Sequence, residues 1–81
     1  MNDLKKVLSE VLNVNESEIN RDSSPENISS WDSFNGLILV SELESNFNVK
    51  FTTEEIYSVK KVADIIKILK SHGVTEGLGT W

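Results

Sequence analysis

The sequence predicts an all-α fold of four helices, with a long loop after the first and a short third helix. Apolar residues recur at spacings of three and four in three separate segments, the mark of a helical face turned toward a core. A Thr-x-x-Glu capping signature starts the remaining helix, and no stretch alternates strongly enough between apolar and polar residues to compete as a strand.

Leu4, Val7, Leu8, Val11 and Leu12 form the stripe of the first helix; Asn2 or Asp3 can cap its start, and Asn13 begins a polar stretch where the stripe ends. From Asn13 to Ser30 no period survives, and only Val14, Ile19 and Ile28 are apolar anchors. A loop of that length in a small domain is often functional, and the anchors predict that it packs across helix ends. Helix two is expected from Ser33 to about Asn48, with Leu37, Val40, Leu43 and Phe47 toward the core. Thr52 to Glu55 opens the short helix three, which Ser58 soon follows. Val59, Val62, Ile65, Ile66 and Leu69 make the stripe of helix four, with Lys67, Lys70 and His72 near its C-terminal end and Gly73 as its stop. Residues 1–73 thus read as one domain and 74–81 as a flexible C-terminal tail.

A chain of 81 residues removes only about 60–65% of its unfolded surface on folding, so its core is thin. A surface site, a groove or one modified side chain is favoured over a buried multi-residue active site. There is no cysteine, so any thiol chemistry must arrive on a cofactor. The net charge of −5 and a pI of about 4.7 argue against nucleic acid and for partners with basic surfaces. Residues 1–58 hold 4 basic and 11 acidic side chains, a charge of −7, whereas 59–81 hold 4 basic and 2 acidic, a charge of +2. With neither a signal-like start nor a membrane-length apolar run, a cytoplasmic monomer is expected.

Asp32-Ser33 sits where the polar loop meets helix two, which sets the Ser33 hydroxyl in the first turn, at the positive end of the helix dipole. A phosphodiester there would meet unpaired backbone N–H groups. Taken alone, the pair reads first as an ordinary helix cap.

The surrounding residues narrow the reading. Trp31-Asp32-Ser33-Phe34, then Leu37, Leu39, Val40, Leu43-Glu44, Phe47, Phe51-Thr52 and Glu54-Glu55, resemble the helix-two region of acyl carrier proteins. Val62-Ala63-Asp64-Ile65-Ile66 resembles that family's last helix, and Leu8, Val11, Leu12, Ile19 and Asp22 its first helix and loop, so the likeness runs nearly to Gly73. The resemblance implies a four-helix bundle of acyl-carrier type and a carrier rather than an enzyme. It implies that Ser33 receives 4'-phosphopantetheine from coenzyme A through a magnesium-dependent holo-carrier synthase, a phosphopantetheinyl transferase, with Asp32 aiding that docking step. The arm's thiol would hold the acyl group as a thioester for acyl-loading and acyl-processing enzymes.

Relative to fatty-acid carriers, Asn35, Ile38 and Lys50 stand where carboxylates are common, and only Glu42 and Glu44 remain acidic on helix two. Ile38 is expected to point away from the core with Phe34 one turn before it, so Phe34, Ile38, Glu42 and Glu44 are the candidate docking residues. The weakened acidic helix favours a specialised pathway, fatty-acid, polyketide or other, over a general one. An aminoacyl or peptidyl carrier, or one for a hydroxyacyl unit, is an alternative within the class. A helical interaction module with Ser33 only as a cap, and a small enzyme using loop carboxylates, are alternatives outside it.

Other candidates carry less. Asn13, Asn15 and Ser17 alternate like the start of a calcium loop, but Glu18 stands where glycine is needed and Ser24 where glutamate is, so no metal site is expected. His72 is placed for a helix-dipole contact rather than catalysis. Trp31 is expected to pack the loop against the bundle and lies within reach of the arm.

Overall fold

The structure, a computed structural model, describes residues 3–78, and among them it contains α-helices but no strand. The helices are α1 (Leu4–Leu12), α2 (Ser33–Phe47), α3 (Thr53–Ser58) and α4 (Val62–Ser71), with one 3₁₀ turn at Glu16–Glu18 inside the long loop. They enclose a core centred on Leu4, Leu8, Leu12, Leu39, Leu43, Val62, Ile65 and Leu69, all essentially without solvent contact.

Helices α1, α2 and α3 begin where their capping side chains satisfy backbone groups that the helix cannot. Asp3 caps α1, its carboxylate accepting from Lys6 N at 2.9 Å. Asp32 caps α2, accepting from Asn35 N at 2.9 Å. Thr52 and Glu55 form the capping box of α3: Glu55 N donates to Thr52 Oγ1 at 3.1 Å and Thr52 N to Glu55 Oε1 at 2.9 Å. Asn13 and Asn48 end α1 and α2 in the left-handed region, both at φ 54°, and Gly73 follows α4 at φ 86°.

The long loop is ordered by turns of its own and by the helices that it joins. Ile19, Ile28 and Trp31 are buried in the core, and Val14 packs against it. Ser30 Oγ donates to the Leu12 carbonyl at the end of α1. The loop carbonyls of Ser23 and Arg21 accept from Val62 N (2.9 Å) and Ala63 N (3.0 Å), two amides of the first turn of α4 that have no partner within the helix. The loop is therefore pinned to α1 and to α4 before it delivers the chain to Asp32.

Two sequence expectations are corrected. On α2 the core face is Leu39 and Leu43, flanked by Gly36, Val40 and Phe47, whereas Leu37, expected to be inward, is 63% exposed. The run Leu37-Ile38-Leu39-Val40 is apolar in every direction around the helix, so it fixes no phase. Packing fixes the phase instead: Leu39 and Leu43 reach the core and Gly36 faces Trp31, while a glycine is silent in an apolar pattern. The second correction concerns the segment after Gly73. Val74 N donates to Leu69 O (3.0 Å), Leu4 N donates to Gly77 O (2.6 Å), and Leu78 is buried in the core, so 74–78 are held against α1 and α4. The rest of the expected tail, Gly79 to Trp81, and the alternative cap Asn2 lie outside the described residues.

Gly36 has an ordinary negative φ and a Cβ there would meet only Trp31, with Nε1 at 3.8 Å, which is normal van der Waals contact. Gly36→Ala should therefore raise stability by about 0.5–1 kcal/mol, the usual gain for alanine over glycine within a helix. A denaturant melt at fixed pH measures it.

Candidate functional site

The loop, its anchor Trp31 and the Asp32 cap together set Ser33 at the first position of α2. Its side chain is exposed and makes no hydrogen bond, whereas Ser30 is engaged with Leu12 and Ser41 lies two turns further along. The Asp32 carboxylate occupies only the Asn35 amide, and the Gly36 amide closes onto the Asp32 carbonyl at 2.8 Å. The amides of Ser33 and Phe34 have no acceptor within the helix, so an anion on the Ser33 oxygen would meet free donors. Hydroxyl access, free amides and the dipole fit a phosphodiester there.

A groove of about 640 Å³ opens beside Ser33, between α2 and α3. Trp31 and Pro25 close its loop end, Gly36, Leu39, Val40 and Leu43 form its α2 wall, and Phe51, Ile56 and Val59 form the opposite wall with Ile65 beneath. Its lining is mostly apolar, and Leu37 and Tyr57, 63% and 76% exposed, stand at its rim. Sequence periodicity did not point to the groove, because it arises between helices rather than along one. The exposed Leu37 of α2 and Tyr57 of α3 are the signal that it left.

The far wall is held by side chains outside the groove. Phe51 N donates to Glu44 Oε2 at 2.8 Å, which ties the start of the α3 segment to the last turn of α2. His72, at the end of α4, stacks its ring on Phe51 with centroids 6.1 Å apart, and places Nε2 2.9 and 3.0 Å from the two oxygens of Glu55. A carboxylate only accepts, so Nε2 carries the proton. Glu55 is held below the ordinary carboxylate value of 4.5, first by the Thr52 backbone N–H and then by His72. A lowered folded value contributes stability that is present above the ordinary value and is lost as pH falls through the lowered one. Glu55→Gln should accordingly remain less stable than wild type at neutral pH, with the gap closing below about 4.5; thermal melts across pH 2–7 measure it.

The six sequence candidates fall into distinct settings. Ser33 and Asp32 meet at the start of α2. Phe34 (71% exposed) and Ile38 (37%) share one outward face, and Leu37 joins them there. Glu42 is exposed farther along α2, its carbonyl accepting from Asn46 Nδ2, and Glu44 is partly buried and spent on the Phe51 amide. Lys61 and Asp22 pair at 4.0 Å with both side chains well exposed, an ion pair worth little. Among the described residues no helix is long and apolar enough to cross a membrane, and no three acidic or histidine side chains gather as a metal site.

Comparison with known proteins agrees with this geometry. Residues 2–69 match the family model described as "Phosphopantetheine attachment site". The acyl carrier protein of Wolinella succinogenes is 31% identical over 70 residues, which cover 86% of this chain and 92% of that protein. The acyl carrier protein of Coprothermobacter proteolyticus is 30% identical over 74 residues, covering 91% and 90%. The chain belongs to the phosphopantetheine attachment family and is an acyl carrier protein, a carrier with a 4'-phosphopantetheine prosthetic group rather than an enzyme.

Proposed function

We propose that Ser33 bears the 4'-phosphopantetheine arm and that the α2–α3 groove receives the apolar part of the tethered acyl unit. The observation that carries this is the unengaged, exposed hydroxyl at the first position of α2, set at the mouth of the groove. When bound, the arm supplies a thiol that holds a carboxylic acid as a thioester, which a chain without cysteine cannot do for itself. The chain contributes presentation. Asp32 fixes the first turn of α2 and offers a carboxylate beside Ser33 to a basic transferase surface, and the pinned loop keeps both in place. Incubating the apo protein with coenzyme A and a phosphopantetheinyl transferase of broad specificity should add one phosphopantetheine to the intact mass. No gain would refute the reading.

Acyl-loading and acyl-processing enzymes are the partners that the family implies. For their approach we assign the outward face of Phe34 and Ile38, widened by Leu37, with Glu42 at its far end. Glu44 contributes less, since its carboxylate already serves the Phe51 amide. A face in which apolar side chains replace carboxylates suits a specialised pathway, in a cytoplasmic monomer. Burying one such side chain at an interface is worth roughly 1.5–3 kcal/mol, about one to two decades of affinity. Ile38→Glu should leave the unfolding midpoint within about 1 kcal/mol of wild type while slowing acyl loading by the cognate enzyme tenfold or more. Loss of the fold would place Ile38 in the core, and unchanged loading would remove it from the docking face.

A further inference from the structure

Trp31 is the one polar side chain in the loop end of the groove that is buried without a partner. It is 6% exposed, and its indole N–H makes no hydrogen bond to the protein. No described side-chain nitrogen or oxygen is both fully enclosed and unpaired, so this N–H keeps a narrow opening to solvent. The edge of the ring that bears Nε1 faces Gly36, and Trp31 and Gly36 both line the groove. A Cβ at position 36 would stand 3.8 Å from Nε1 and narrow the space beside it. Glycine leaves the donor bare, although alanine would fit and suit the helix better.

A ligand that fills the groove closes this opening to solvent. A saturated chain would leave the N–H buried and unpaired, which is unfavourable, whereas an oxygen placed there would pair with it. A site with one fixed donor discriminates sharply against the analogue that lacks the matching acceptor. Trp31 and Ser33 both line the groove, so a unit tethered at Ser33 and seated there passes within reach of the donor.

We propose that the Trp31 indole N–H is a specificity-determining donor that selects a tethered acyl unit bearing a hydroxyl or keto oxygen on its carbon chain, beyond the thioester carbonyl, over its saturated counterpart. This rests on the arm being at Ser33. The donor keeps such a unit in the groove by one directional contact, Gly36 keeps the donor accessible, and the apolar walls accept the remaining carbons. Gly36→Ala should therefore separate two properties, raising stability while reducing selectivity.

The test loads apo protein enzymatically from coenzyme A, butyryl-coenzyme A and 3-hydroxybutyryl-coenzyme A, and intact mass with peptide mapping first confirms each form at Ser33. Failure at that stage sinks the attachment reading, and the proposal with it. The ¹H–¹⁵N resonance of the Trp31 indole, assigned with Trp31→Phe, is then compared among the three forms. In the 3-hydroxybutyryl form the indole proton should move downfield and exchange with solvent about tenfold more slowly than in the butyryl form, the factor expected of one net hydrogen bond. Gly36→Ala should shrink that difference without loss of the fold. Equal indole behaviour in the butyryl and 3-hydroxybutyryl forms would overturn the proposal. The same shift in the unacylated form would overturn it as well, by assigning the donor to the arm's own amides.

Discussion

Ser33→Ala should yield a folded bundle that never gains the arm. The hydroxyl makes no hydrogen bond, the side chain is exposed, and alanine is the better helix former, so the midpoint of unfolding should stay within about 0.5 kcal/mol of wild type. Transfer from coenzyme A should be lost altogether, because no other serine combines exposure with the first turn of α2. Ser30 donates to the Leu12 carbonyl, and Ser41 sits in the middle of the helix without unpaired amides beside it. A retained fold with complete loss of modification separates a functional residue from a structural one. Circular dichroism together with intact mass reads both halves.

The second large effect distinguishes the two faces of α2. Leu43 is wholly buried in the core beside the groove, so Leu43→Ala should cost 2–5 kcal/mol, roughly the range measured for core leucines. Against a total of about 5–15 kcal/mol that is a severe loss, and a change of about 3 kcal/mol would lower Tm by roughly 12–24 °C in a domain of this size. Leu37→Ala, at a position 63% exposed, should cost less than about 0.5 kcal/mol. The phase expected from spacing alone, with Leu37 inward, requires both substitutions to be costly. Parallel urea melts of the two variants therefore decide the orientation of the helix that presents Ser33.

The parts of this fold that were legible in the sequence are those decided within a few residues. Asp3, Asp32 and the Thr52–Glu55 box cap the helices at which their sequence positions place them, and Asn13 and Gly73 mark ends. The Asp32-Ser33 boundary was legible for the same reason, since a cap and the first helical residue are neighbours in the chain. What escaped the sequence depends on packing between distant residues. The contiguous apolar run from Leu37 to Val40 contains every helical phase, and only packing against the rest of the core selects the one that buries Leu39 and Leu43. The groove needs α3 laid opposite α2, and α3 is held there by the Phe51–His72 stack and the His72–Glu55 contact, which link residues 17 to 21 positions apart. Glu44 read as a docking carboxylate because its sequence neighbours do not reveal that it accepts from Phe51 N. Leu78 follows two glycine-bearing turns with no helical period, and only the hydrogen bond from Leu4 N to Gly77 O shows that the chain comes back to α1.

The attachment of the arm at Ser33 is the claim on which the rest depends, and residue-level mapping tests it most directly. Wild-type protein incubated with coenzyme A and a phosphopantetheinyl transferase, digested and fragmented in a mass spectrometer, should show one phosphopantetheine in the peptide spanning Asp32 to Lys50, with the fragment series placing it on Ser33. An arm found on Ser30, Ser41 or any other residue, or a protein left unmodified while a control carrier in the same tube is fully converted, would contradict the account.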